Sequence, residues 1–255
     1  MTVPFLQVSG LNKNFGGLQA LRDCSFAIEK GRITCLVGPN GAGKTTVFNA
    51  ITGFLRPESG SVQFQGRSLD RLPPRAIVRS GIARSFQNLR LYADMTVLEN
   101  VTSALPGQFG EQPLSAIFRP FRTARAMRQA NEQAAGILEH VGLGDQARVW
   151  TRNLSYGEQK LLCIARLLAT GADLLLLDEP TSGLSGEALD RVMALLRRLQ
   201  AEGKSQLVVE HNTRVVMAIA DEVVFLHGGH VLAQGSPAEI TADPALAEIY
   251  FGGAL

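Results

Sequence analysis

Three short stretches of the chain carry residue types that handle phosphate and water. Gly38-Pro39-Asn40-Gly41-Ala42-Gly43-Lys44-Thr45, followed by Thr46, fits the pattern G-x-x-x-x-G-K-[ST] in full. Glycines let backbone N–H groups turn inward around an anion, and the helix that follows offers its positive N-terminal end. In such a cradle Lys44 is expected to reach the β- and γ-phosphates of a nucleotide, and the Thr45 hydroxyl to hold Mg²⁺. Asp178 and Glu179 close the apolar run of residues 174–177. Two carboxylates there stand where open α/β sheets bind ligands. Asp178 offers a hard oxygen to Mg²⁺, and Glu179 is placed to polarise a water aimed at the γ-phosphate. The third stretch is Leu154-Ser155-Tyr156-Gly157-Glu158. It has two readings: a capping box, in which Ser155 and Glu158 close a helix N-terminus, or a second anion site built on that terminus.

The elements that must position these residues are legible in outline. Residues 33–37 form a short apolar strand that runs directly into the Gly-rich turn. The next segment carries Val47, Phe48, Ile51 and Phe54 at helical spacing, so a helix holding all four is expected. Residues 57–60 make a turn before an alternating strand, 61–64. Residues 157–168 read as a helix burying Leu161, Ile164, Ala165 and Leu168. The run 174–177 is apolar without alternation, the mark of a strand covered on both faces. Leu189, Val192, Leu196 and Leu199 share a helix face, 207–209 is a further buried strand, and short strands at 223–226 and 231–234 precede short helices. Strands alternating with helices predict an α/β fold with a mainly parallel sheet.

Composition sets the outer limits. The chain has 255 residues, 45% hydrophobic and 19% charged, which excludes a disordered or collagen-like class. A net charge of +2 argues against a nucleic-acid partner held by bulk charge. Three scattered cysteines, Cys24, Cys35 and Cys163, suggest no disulfide framework and a reducing compartment. No apolar run reaches the ~20 residues of a spanning helix, and residues 1–7 lack the marks of a signal peptide. A soluble chain whose membrane role, if any, comes through a partner is therefore expected. Residues 105–128 stand apart, opening with Pro106, Gly107 and Gly110 and closing with Arg119, Arg122, Arg125 and Arg128, and read as an insertion. The arginines fit either a solvated helix face or a patch toward anionic headgroups.

In order, Phe15, the Gly-rich loop, Gln87, the Ser155–Gly157 stretch, Asp178-Glu179 and His211 resemble the ATP-binding subunit of an ABC transporter. The resemblance covers essentially all 255 residues. It implies one ATP-binding domain, 1–255, with an antiparallel β subdomain and a helical subdomain, 88–165, inserted in a P-loop core. By the same resemblance Phe15 stacks on adenine, Gln87 touches Mg²⁺ and the attacking water, and His211 contacts the γ-phosphate. Ser155 and Gly157 close on the nucleotide of a second ATP-binding subunit, identical or, more in keeping with the resemblance, different. ATP and Mg²⁺ are the implied ligands. The implied setting is the cytoplasmic face of the inner membrane, held by two transmembrane permease subunits that an extracytoplasmic solute-binding protein serves.

Residues 38–57, 88–101, 105–128 and 209–253 and the Tyr156 of the signature resemble the branched-chain or hydrophobic amino-acid uptake group. ATPases of urea uptake and lipopolysaccharide export share much of this pattern. A soluble ABC ATPase outside transport is disfavoured by the absence of Cys-x-x-Cys and of heptad runs. Two departures from the family pattern stand out: Ser185 where Asn or Asp is usual, and Asn212 where Asp commonly follows the histidine. The first is expected to weaken coupling between paired sites, and the second removes a negative charge.

Overall fold

The computed structural model describes residues 4–86, 89–107 and 120–242, with side chains from 124 onward in the last span. Contacts divide the chain into two units: Met1–Arg84, Asp173–Ser182 and Leu196–Leu255 form one, and Ser85–Ala172 with Gly183–Leu195 the other.

The first unit holds two sheets. β1 (Leu6–Phe15), β2 (Leu18–Ile28), β4 (Ser59–Phe64) and β5 (Arg67–Ser68) form an antiparallel sheet in the order β2-β1-β4-β5. The second sheet has the order β10-β9-β3-β8-β7-β6. Its members are β3 (Ile33–Val37), β6 (Ile82–Arg84), β7 (Leu174–Asp178), β8 (Ser205–Val209), β9 (Glu222–His227) and β10 (His230–Gly235). All its pairings are parallel except that of β9 with β10, as the sequence pattern predicts. Every residue of β3, β7 and β8 is buried, which explains why these strands read as continuous apolar runs without alternation. Phe48, Ile51, Leu36, Leu176 and Leu226 share one core with Leu6, Leu11 and Ile28 of the antiparallel sheet.

Helix α1 (Lys44–Ile51) buries Val47, Phe48 and Ile51 but stops before Phe54, which is 57% exposed. The helical expectation fails there because Gly53 takes φ +72°, the left-handed conformation that ends helices. A Cβ at Gly53 would meet the Leu72 carbonyl oxygen at 2.9 Å, so no other residue fits without a shift. Among the described residues this unit also holds α2 (Pro74–Arg79), α7 (Thr213–Ile219) and α8 (Pro237–Ala242).

In the second unit, α3 (Val97–Thr102), α4 (Pro120–Val141) and α5 (Tyr156–Ala169) pack together. Thr96 and Glu99 close the start of α3 with a full capping box. Buried Asn100 donates from Nδ2 to the carbonyls of Tyr92 and Thr96 and to Thr151 Oγ1 at 2.8 Å, tying three segments together. Along α5, Leu161, Ile164 and Ala165 are buried as expected, but Leu168 is half-buried and Leu162 and Leu167 take its place. Helix α6 (Gly186–Ala201) begins in this unit and buries Val192, Leu195, Leu196 and Leu199 on one face. Of the arginines in the inserted segment, Arg125 and Arg128 are exposed; Arg119 and the Arg122 side chain lie outside the described residues. No helix among the described residues is long and apolar enough to cross a membrane.

Candidate nucleotide site

Three adjacent parallel strands, β3, β8 and β7, end at one edge of the sheet, and each runs there into residues singled out by the sequence. β3 leads into residues 38–46, β8 into Glu210 and His211, and β7 ends in Asp178 with Glu179 next. The carboxyl edge of an open α/β sheet is where ligands bind.

The loop is built by glycines. Gly38 has φ +150°, and a Cβ on it would lie 2.0 Å from the Leu226 carbonyl oxygen. Gly43 caps α1 at φ +107°, where a Cβ would meet the Ala20 carbonyl oxygen at 2.6 Å. Because Gly43 has no side chain to cap the helix and the first turn holds no acid, the N–H groups of that turn stay available to an anion. Lys44 is buried and its Nζ donates to the carbonyls of Gly38 at 2.6 Å and Pro39 at 2.9 Å. Burial lowers the pKa of this ammonium, opposed by the Glu179 and Asp178 carboxylates. Thr45, Asn40 and Gly41 are exposed, Thr46 and Gly43 are half-buried, and Ala42 is buried.

At the end of β7, Asp178 is paired with Arg84 Nη2 at 3.3 Å. The same guanidinium donates from Nη1 to Asn49 Oδ1 at 2.5 Å and lies 5.3 Å from the centre of the Phe48 ring. Arg84 thus joins the last residue of β6 to α1 and β7, a role that sequence reasoning missed. The signal was present only as a basic residue at the end of a very short strand. Glu179 takes φ +50°, an uncommon conformation for a residue with a side chain. Its N–H donates to the Val209 carbonyl at 3.0 Å, and its Oε1 lies 3.1 Å from His211 Nε2. Asp178, Glu179, His211 and the loop 38–46 therefore belong to one unit and one sheet edge.

Phe15, at the end of β1, is 49% exposed with Lys13 Nζ 5.5 Å from its ring centre, so it is a surface aromatic and not a core residue. Ser155 and Gly157 lie in the second unit. Ser155 caps α5 with a full capping box: its Oγ donates to Glu158 Oε2 at 2.7 Å and the Glu158 N–H returns a bond to Oγ. A Cβ on Gly157 would sit 3.0 Å from the Ala188 Cβ, so glycine lets α5 approach the start of α6. The capping reading of this stretch is therefore realised. Asn212, read as a departure, caps α7 by accepting from the Arg214 N–H at 3.0 Å, a task Asn performs as well as Asp. Gln87 lies outside the described residues.

The donor set suits Mg²⁺. Thr45, exposed on α1, and Asp178, at the end of β7, each carry a hard oxygen of the kind that cation takes. Mg²⁺ keeps most of its shell as water and phosphate oxygen and takes one or two such ligands from a protein.

A profile of the ABC transporter family matches residues 21–182. The chain belongs to that family. It is 39% identical over 255 residues to the high-affinity branched-chain amino acid transport ATP-binding protein BraF of Pseudomonas aeruginosa, covering 100% of both chains. It is 38% identical over 257 residues to the high-affinity branched-chain amino acid transport ATP-binding protein LivG of Escherichia coli, again with 100% of each covered. Among solved structures, the ADP conformation of an ATP-binding cassette of an ABC transporter matches with a TM-score of 0.84 at 31% identity, over 98% of this chain and 100% of that one. A dimeric post-hydrolysis state of an ATP-binding cassette bound to ADP and Pi matches with a TM-score of 0.74 at 26% identity, over 91% and 98%.

Proposed function

We propose that this chain binds and hydrolyses ATP to drive an ABC importer for branched-chain or other hydrophobic amino acids. The observation that carries the reading is the convergence of residues 38–46, Asp178, Glu179 and His211 at the ends of β3, β7 and β8. Full-length likeness to relatives named for branched-chain amino acid transport supports the solute class.

The loop N–H groups and Lys44 hold the phosphates, while the adenine lies on the exposed face of Phe15. Thr45 and Asp178, with Gln87, hold Mg²⁺, which when bound neutralises charge on the phosphate oxygens. Glu179 orients the attacking water and takes its proton, and His211 holds the Glu179 carboxylate and reaches toward the γ-phosphate. Ser155 and Gly157 serve the nucleotide of a second ATP-binding subunit, so that two ATP molecules are held between two chains. Hydrolysis removes the ligand both chains share, and the pair opens. A solved dimer of a similar cassette with ADP and Pi supports this arrangement.

In this reading the chain is one ATP-binding domain, 1–255, with a helical subdomain, 88–165, inserted in it. It lies at the cytoplasmic face of the membrane, held by two permease subunits that an extracytoplasmic binding protein serves. The test is purification of the tagged chain from detergent-solubilised membranes. Two multi-span subunits and a solute-stimulated ATPase are expected to come with it. Recovery of the chain by itself, with full ATPase activity indifferent to any permease, would overturn the proposal.

A further inference from the structure

Glu210 is a carboxylate buried to 3% exposure that none of the steps above employs. It stands between the last residue of β8 and His211. Its Oε1 accepts two bonds from one residue, the Thr181 N–H at 3.0 Å and the Thr181 hydroxyl at 2.6 Å. Glu210 directly precedes His211 in the chain. Thr181 is itself buried, and it lies two residues beyond Glu179 on the segment that leaves β7.

The two segments are thus joined by three rungs. One is the Glu179 N–H on the Val209 carbonyl, one is Glu210 on Thr181, and one is His211 Nε2 on Glu179 Oε1. The first fixes the strand ends. The third depends on where the two side chains are delivered, and only the middle rung is built of fully buried groups. Glu179 also takes φ +50°, a conformation that surrounding bonds must hold in place. An acceptor that holds both the N–H and the hydroxyl of Thr181 across the gap is suited to that task.

We propose that Glu210 is a positioning residue: by holding the Thr181 N–H and hydroxyl from its place directly before His211, it sets Glu179 and His211 in register for the attack on ATP. The inference rests on the functional reading above. It assigns to Glu210 and Thr181 no contact with nucleotide or metal, only the placement of the groups that make such contact.

The test uses the full chain assembled with its transporter partners, with Thr181→Val, Thr181→Ser, Glu210→Ala and Glu210→Gln compared with wild type. Small misplacements of reacting groups are costly, so Thr181→Val and Glu210→Ala should lower kcat about tenfold or more while KM for ATP moves less than about threefold. Thr181→Ser and Glu210→Gln, which keep a donor and an acceptor, should stay within about threefold of wild type. The double variant Glu210→Ala/Thr181→Val should be no slower than Glu210→Ala, because both remove one interaction. A second readout needs no turnover. In the isolated full chain, the His211 ring resonances should shift in Thr181→Val and stay in place in Thr181→Ser. Wild-type kcat in Thr181→Val with unmoved His211 resonances, or a lowered Tm with kcat untouched, would overturn the inference. Should Glu210→Ala fail to fold, the two Thr181 variants still decide it. An inactive wild-type assembly would sink the functional reading and leave the resonance test of the clamp standing.

Discussion

Lys44 shows how much one side chain can be asked to do at this edge. Its ammonium is buried and bonded to two loop carbonyls, and the residue opens helix α1. Lys44→Ala should weaken ATP binding roughly 10- to 100-fold, since a hydrogen bond to a charged group is worth about 1.5–3 kcal/mol. Titration with a fluorescent ATP analogue would check it. Glu210 makes a prediction of the opposite kind. Burial, the largest cause, holds its carboxyl above the ordinary 4.5 in the folded chain, with the Glu179 charge pushing the same way. Its favourable contribution is then present in acid and is lost as pH rises through the folded pKa. Glu210→Gln should raise Tm above wild type at pH 8, and the gap should close as pH falls toward 5. Scanning calorimetry across that range reads it, and a gap independent of pH would refute it. The motif residues at this scale were legible because each sits in a fixed local pattern. Arg84, Thr181 and Glu210 were not, because what they do depends on strands far apart in sequence lying side by side.

Among the elements, β3, β7 and β8 were plain in the sequence because burial on both faces turns them into unbroken apolar runs. β1 and β2 left no such mark although each is at least 10 residues long. Their pairing shifts register between Val8 and Leu11, Leu11 and Lys13, and Lys13 and Asn14, and such irregularities destroy the period-two signal that marks a strand. Helix α1 was read one turn too long because Phe54 keeps the spacing of the buried residues while Gly53 has already ended the helix. The start of α5 carries the element-scale prediction. With a Cβ at Gly157 already 3.0 Å from Ala188, Gly157→Leu should overpack the approach of α5 to α6 and cost about 1–3 kcal/mol. Thermal unfolding would show a lowered Tm. An unchanged Tm would mean that α6 yields freely there, and that the glycine is present for another reason.

For the whole molecule, the order β9-β3-β8-β7-β6 is the decisive fact, since it draws residues 38–46, 178–179 and 210–211 to one edge. No periodicity in a single sequence contains that order; the resemblance to a family implied the P-loop core but not the order of its strands. Phe15, at 49% exposure, and the Ser155 capping box illustrate the remaining ambiguity of sequence reading: a surface aromatic and a helix cap each have a local explanation that does not call on a nucleotide. In the proposed function ATP is shared between two such chains and consumed with Glu179 as base. The most direct test is the molar mass, by light scattering, of the Glu179→Gln chain together with its partner ATP-binding subunit. With MgATP present a stable pair holding unhydrolysed nucleotide is predicted, falling apart when Mg²⁺ is chelated. Separate chains that bind ATP without pairing, or that turn it over at the wild-type rate, would contradict it.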